Sequence, residues 1–541
     1  MSEYKPPVSD MLCALHDVLG FSHEELDRET TEAVLDEAAK LASEILAPLN
    51  KSADEHGATL NDGRVKCAPG FKEAYSAYCE GGWNAVPFDP EYGGQGLPWA
   101  LAFPIQEMWQ GANMSFGLCP LLNQGAVEAI YSHGSDEQKA QYLSKLISGE
   151  WTGTMNLTEP HAGSDLGLIR SKAEKQNDGS YKISGQKIFI TYGDHDLTDN
   201  IIHLVLARTT DAPDDVKGIS LFIVPKVLEN GRDNSLSCIG LEHKLGIHAS
   251  PTCTMEFEGA TGFLIGEENQ GLKYMFTMMN NARLCVGLQG VAIGERAYQH
   301  ALSYARERVQ GKSFTSGERV AIAEHADVRR MLMQMKSYVT AGRLMAYNAA
   351  LELDKAAAGD LQARARVDFL TPIVKSWCTD MSVEVASLGV QVHGGMGFIE
   401  ETGAAQFYRD ARILPIYEGT NGIQAADLVF RKVVRDKGVM AQYYIKEMDG
   451  SVDSAILQSL SSATDVILRM AEDNNMDGIA LCSDSYLKAY AITLGEYFLT
   501  KLSNLDEQGE TCDFVSREEL HIFYKSYISP FAKAHIEGIR Q

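Results

Sequence analysis

One carboxylate, Glu418, interrupts the stretch "ILPIYEGTNGIQAADLVFRK" at residues 413–432. It sits between an apolar run, Ile413 to Tyr417, and the glycines Gly419 and Gly422. A carboxylate drawn out of water at such a place has a raised pKa and is a stronger base. Thr420 or Asn421 is placed to N-cap the helix that follows, so Glu418 falls just outside a helix start. By itself "YEG" also fits an exposed turn glutamate.

Three other stretches set polar groups or glycines in apolar surroundings. "MNLTEPHAGSDLG" (155–167) mixes hydroxyls, acids and glycines. There Thr158 and Ser164 can hydrogen-bond a polar ligand while glycine permits close backbone approach; a solvated turn is the plainer reading. In "GQKIFITYG" (185–193) an ordinary strand suffices, but Phe189 can pack on a flat ring whose edge Thr191 meets. "QVHGGMGF" (391–398) is either an interhelical turn or a loop whose N–H groups face a diphosphate.

These residues must be positioned by a chain of 541 residues, too long for one core. The net charge of -25 disfavours nucleic acid and anionic membrane as partners. Ten cysteines without CxxC or zinc-ligand spacing read as reduced thiols of a cytoplasmic-type compartment. The N-terminus shows no secretory pattern, and no apolar run approaches a membrane span.

Residues 1–150 read as helical. "TTEAVLDEAAKLASEILAPLNKSADEHG" has helical spacing and a glycine stop, and Ser135 with Gln138 makes a capping box. At Trp151 the period changes. "YKISGQKIFITYG", "NIIHLVLART", "GISLFIVPK" and "CTMEFEG" are strand-like, which gives a β-domain over 151–263. Helical spacing returns over 264–438, with a stripe of small residues (Gly287, Gly290, Gly294 and Ala297 among them) that admits a close neighbouring helix. Residues 439–541 add a further helical extension.

Several chemistries find no motif. There is no GxGxxG, "GKS" at 311–313 has Arg306 in place of the first P-loop glycine, and Ala162 breaks GxSxG. No HExxH or EF-hand pattern offers a metal site.

Taken together and in this order, "MNLTEPHAGSDLG", "KIFITYG", "GGMGF" and "IYEGTNGIQ" resemble the acyl-CoA dehydrogenase family over residues 35–435. The resemblance implies an α+β multidomain fold: an N-terminal helical domain, a central β-barrel-like domain and a C-terminal four-helix bundle, here with a helical extension. It implies FAD, a homodimer or homotetramer, and α,β-dehydrogenation of an acyl-CoA thioester to the 2-enoyl-CoA. Electron-transfer flavoprotein would be the acceptor. The flanks "YKPPVSDMLCALHDVLGF" and 440–541 are similar to larger bacterial members. That branch implies a substrate such as 3-(methylthio)propanoyl-CoA or a short or medium acyl-CoA.

By the same resemblance Glu418 matches the base that takes the α-proton, the β-hydrogen leaving as hydride to flavin N5. Its backbone N–H would help hold the thioester oxygen as enolate charge develops. Leu157, Thr158, Phe189 and Thr191 match flavin contacts. Arg308, Gln391 and Gly395 match contacts to the adenosine-diphosphate part, Arg308 from a neighbouring subunit, and Thr420 matches another FAD contact. Ser164 matches a CoA contact, Arg283 a residue beside the active-site loop, and Tyr417 lies next to the base. The pattern departs at "ERVQGK", one residue short of ERxxFGK and without its phenylalanine, at Gly422 and at Asn280. An acyl-CoA oxidase would keep Glu418. A DNA-binding flavoprotein relative would need a basic extension, whereas "MAEDNNMDG" and "NLDEQGETCDF" are acidic.

Overall fold

A computed structural model of the chain describes residues 2–505 and 514–539. Part of the acidic "NLDEQGETCDF" therefore lies outside the described residues. In chain order the main elements are helices α1 (Arg28–Lys40), α2 (Trp99–Ala112), α3 (Met114–His133) and α4 (Asp136–Ser148). Strands β1 (Trp151–Asn156), β2 (Lys172–Lys175), β3 (Tyr181–Thr191), β4 (Asn200–Thr209), β5 (Ser220–Pro225), β6 (Leu236–Leu241) and β7 (Thr252–Leu264) follow. Helices α5 (Gly271–Glu307), α6 (Ala326–Ala357), α7 (Leu361–His393), α8 (Asn421–Ala426), α9 (Ser454–Glu472) and α10 (Met476–Ser503) complete the list. Two compact units result: residues 44–98 with 113–282, and residues 1–43, 99–112 and 283–541.

The first unit is organised by a closed sheet. β2 pairs β3, β3 pairs β7, β7 pairs β5, β5 pairs β4, and β4 returns to β2 in parallel. Closure removes free edges from these five strands. β6 is added on β7, and β1 runs parallel to β4. The interior is filled by inward residues such as Ile183, Val205, Phe222, Val224 and Met255, all fully or almost fully buried. Burial of each contributes about 1.5–3 kcal/mol. β1, β2 and β6 carry weak strand patterns and are not among the four strand-like stretches read from the sequence. β1 is covered by α3, and Gly153 allows this: a Cβ there would overlap that of Ala126. The Ser135–Gln138 capping box is present at the start of α4.

The second unit is helical. The small-residue stripe on α5 does what its spacing predicts. A Cβ at Gly287 would lie 2.7 Å from the Val374 side chain, one at Gly290 would overlap the Cys378 carbonyl, and one at Gly294 would lie 3.0 Å from Val339. So α5 packs closely on α6 and α7. The extension belongs to the same unit. α10 is buried along most of its length, its apolar residues spread over most of the helix circumference. It packs on α6, α7, α8 and α9. No helix among the described residues is long and apolar enough to cross a membrane.

Candidate active site

Glu418 lies on a tight loop closed by the Asn421 N–H donating to the Pro415 carbonyl at 3.1 Å. Glu418 (φ 54°) and Gly419 (φ 84°) are both left-handed. Glycine takes that conformation freely; glutamate does so at a cost and needs its surroundings to hold it. Several groups do so. Lys375 Nζ donates to the Gly419 carbonyl at 2.8 Å, and Gln424 Nε2 donates to the Glu418 carbonyl at 3.2 Å. Thr420 caps α8, its hydroxyl accepting from the Ile423 N–H at 3.3 Å.

Among the described residues neither the Glu418 N–H nor its carboxylate takes part in a hydrogen bond. Burial pushes the Glu418 carboxyl up, while Arg283 and Lys375 pull it down. It is thus a strengthened base next to two cations, with an unengaged N–H on the same residue. Arg283 on α5 is buried. Tyr417 donates its hydroxyl to Gln289 Oε1 at 2.5 Å, so what it can offer a ligand is its ring.

The barrel unit holds the flavin candidates. The pairing of β3 with β7 is irregular between Lys187 and Ile190. This bulge leaves Phe189 57 % exposed at φ 60°, an unusual conformation for a bulky residue. The neighbouring Ile188 N–H donates to the Thr158 carbonyl at 2.9 Å, which ties the bulge to the loop carrying Leu157 and Thr158. That loop is pinned from below. Lys187, fully buried, donates to the Leu157 carbonyl at 3.0 Å and to Glu159 Oε1 at 2.8 Å. Burial lowers the Lys187 ammonium to about 8, still above neutrality. It pushes Glu159 upward, yet Lys187 and the hydrogen bonds from Arg170 and Ser171 hold that carboxyl below its ordinary value.

Among the described residues the Thr158 and Thr191 hydroxyls take part in no hydrogen bond. An exposed aromatic ring held in a strained conformation, with one unengaged hydroxyl two residues on at Thr191 and another at Thr158 on the loop bonded to Ile188, fits a flat cofactor with a polar edge. Ser164 is exposed further along the same loop.

Arg308, Gln391 and Gly395 come to one end of the helical unit. Tyr304, a turn before Arg308, stacks on His393 at 4.5 Å, and His393 lies between Gln391 and Gly395. All three are exposed, and a Cβ at Gly395 would meet nothing within 4 Å. The open backbone suits close approach of a diphosphate.

Sequence reasoning missed the lysines. Lys375 in "TPIVKSWC" and Lys187 in "GQKIFIT" are single cations within apolar elements, and that isolation was the available signal. It also missed a buried cluster in the helical unit, where Arg343 meets Glu107 and Glu295 at 2.6 and 2.9 Å.

Comparison with known proteins places the chain in a family. Family models for the N-terminal, middle and C-terminal domains of acyl-CoA dehydrogenase match residues 28–150, 154–260 and 269–432. The chain is 50% identical to 3-methylmercaptopropionyl-CoA dehydrogenase of Ruegeria pomeroyi over 487 residues, 87% of this chain and 83% of that protein. Butyryl-CoA dehydrogenase of Megasphaera elsdenii superposes with a TM-score of 0.64 at 27% identity, covering 75% of this chain and 98% of that one. An acyl-CoA dehydrogenase complexed with FAD from Bacillus anthracis shares the fold across 97% of this chain and 90% of its own, with a TM-score of 0.77 at 20% identity.

The three matched domains and these relatives define an FAD-dependent oxidoreductase. The chain belongs to the acyl-CoA dehydrogenase family.

Proposed function

We propose that Glu418 is the base of this dehydrogenase, taking the α-proton of the acyl-CoA, and that its own N–H steadies the thioester oxygen as charge develops there. The observation that carries this reading is the loop itself: carboxylate and N–H both unengaged on one residue, held in a left-handed turn. Preorganised donors of this kind act where charge develops in the transition state. Arg283 and Lys375 offset part of the carboxylate's burial without hydrogen-bonding to it. Once an acyl-CoA covers the loop, exclusion of water would strengthen both interactions.

Leu157, Thr158, Phe189 and Thr191 would hold the flavin ring. Arg308, Gln391, Gly395 and Thr420 would hold the rest of FAD, with Arg308 serving a neighbouring copy in a homodimer or homotetramer. FAD, when bound, supplies the acceptor for the β-hydrogen. Ser164 would meet the CoA part, and Arg283 and Tyr417 would border the acyl group.

The substrate is proposed to be 3-(methylthio)propanoyl-CoA, the acyl-CoA named for the Ruegeria pomeroyi relative. Electron-transfer flavoprotein is the proposed acceptor and the cytoplasm the proposed compartment. Anaerobic flavin bleaching against 3-(methylthio)propanoyl-CoA, butanoyl-CoA and octanoyl-CoA tests the assignment. Fastest bleaching is expected with the first, and a preference of about tenfold or more for either straight chain, about 1.4 kcal/mol, overturns it.

A further inference from the structure

The C-terminal extension reaches the Glu418 loop through a line of polar side chains. Lys488 on α10 lies 3.7 Å from Asp380 Oδ2 and 2.9 Å from Asp484 Oδ2. The other oxygen of Asp380 accepts from Asn421 Nδ2 at 2.7 Å. Asn421 Oδ1 accepts from Lys375 Nζ at 2.9 Å, and the same ammonium donates to the Gly419 carbonyl at 2.8 Å. Asn421 Nδ2 also lies 3.1 Å from the Ser376 carbonyl and 3.0 Å from Thr379 Oγ1, which share its second N–H, so the amide cannot turn without breaking several bonds. Lys375 is fully buried and Asn421 nearly so.

The Gly419 carbonyl belongs to the residue immediately after Glu418. Gripping it fixes the left-handed pair, and with it the direction of the Glu418 N–H and side chain. A conformation that glutamate adopts reluctantly persists only where the surroundings over-determine it. Here part of that determination comes from beyond residue 438, from a helix outside the matched family domains.

We infer that Lys375, Asn421, Asp380 and Lys488 form a positioning relay by which the extension holds the catalytic loop in place for proton abstraction. The inference rests on Glu418 being the base. Glu418 faces Arg283 and Lys375; Lys375 faces Glu418, Asp380 and Arg283; Asp380 faces Lys488, Asp484 and Lys375; Lys488 faces Asp380, Asp484 and His535. Lys375 is lowered to about 7, chiefly by burial, but its N–H groups donate in either protonation state.

The test is a double-mutant cycle on the full-length FAD-loaded enzyme, with butanoyl-CoA and 3-(methylthio)propanoyl-CoA as substrates and ferrocenium as acceptor. Lys488→Met is expected to keep FAD and KM and to lose about tenfold in kcat, since small misplacement of a reacting group is costly. Lys375→Met is expected to lose about a hundredfold. It should also move the acid limb of kcat/KM to higher pH, because one of the two cations lowering Glu418 is gone. Lys488→Met should leave that limb where it is. In the Lys375→Met background, Lys488→Met should add less than about twofold, the mark of a shared path.

Wild-type kcat in Lys488→Met, or effects that simply multiply, overturns the relay. Should Lys375→Met not fold, Asp380→Asn takes its place in the cycle with the same non-additivity expected. Glu418→Gln separates the two readings. If it is inactive while Lys488→Met is normal, the relay alone falls; if it is active, the base assignment falls.

Discussion

Lys187 Nζ lies 2.8 Å from Glu159 Oε1, and the two side chains are 0% and 3% exposed. A buried pair gives little net stability against an apolar alternative, but breaking one side strands the other charge. Lys187→Met should therefore destabilise the protein by about 3–5 kcal/mol. It also frees the Leu157 carbonyl, so the loop bearing Thr158 should loosen and FAD should dissociate more readily. Urea unfolding and FAD release on dilution measure the two effects. Unchanged stability together with unchanged FAD retention would show that the pair does not anchor the loop.

Glu418→Gln keeps the side-chain shape and removes the base. Turnover should fall by about 10³-fold or more, while FAD and acyl-CoA still bind. The pH dependence follows from burial, which raises the carboxyl above its ordinary 4.5. The active form is the carboxylate, so kcat/KM of the wild type should rise with pH through an ionisation above that value. The stability consequence has a definite sign. A carboxyl whose pKa is raised in the folded state stabilises fully below its unfolded value and loses that contribution as pH rises through the folded one. At neutral pH, Glu418 is thus a net cost, and Glu418→Gln should melt higher than wild type. A lower melting temperature would contradict the desolvation argument even if activity is lost.

Much of this was legible in the sequence, for identifiable reasons. The strands at Tyr181, Asn200, Ser220 and Thr252 carry β-branched and aromatic runs. The α5 stripe announced a close helix contact, and a cap was expected at Thr420 or Asn421, of which Thr420 supplies it. β2 escaped because Lys172–Lys175 alternates charges around one alanine, and its strand character comes from pairing with β3 and β4. The bulge at Phe189 could not be read either, since a register shift is decided by partners distant in sequence. The relay residues failed for the same reason: Lys375, Asp380, Asn421 and Lys488 become a chain only after α7, α8 and α10 pack.

Phe189 tests whether backbone strain serves cofactor binding. At φ 60° a phenylalanine is strained, whereas glycine is not. Phe189→Gly should stabilise the FAD-free protein by about 1 kcal/mol, the order of the left-handed penalty. The same change removes the ring assigned to face the flavin, so FAD affinity should drop by about tenfold or more. Thermal unfolding without FAD and titration with FAD report the two sides. A variant that binds FAD as tightly as wild type would remove Phe189 from the flavin contacts.

The buried cluster in the helical unit makes the opposite kind of prediction, about structure and not chemistry. Arg343 Nη2 meets Glu107 at 2.6 Å and Glu295 at 2.9 Å, and the Tyr347 hydroxyl donates to Glu107 at 2.7 Å. Burial pushes Glu295 upward, but Lys336 and Arg343 outweigh it and hold the carboxyl below its ordinary value. A depressed carboxylate contributes stability above its unfolded pKa and loses it as pH falls through the folded one, so this cluster should make the protein sensitive to acid. Arg343→Met leaves Glu107 and Glu295 without their shared cation and should cost about 3–5 kcal/mol at neutral pH. Replacing the three together, as Glu107→Leu, Glu295→Leu and Arg343→Met, removes every stranded charge. Lys336 stays paired with Asp10 at 2.6 Å, while the Tyr347 hydroxyl loses its acceptor, so part of that loss should be recovered, because apolar packing of similar volume matches a buried ion pair. Denaturant unfolding of the single and triple variants checks this: if the triple variant is less stable than Arg343→Met alone, the cluster is a net source of stability and not a balanced one.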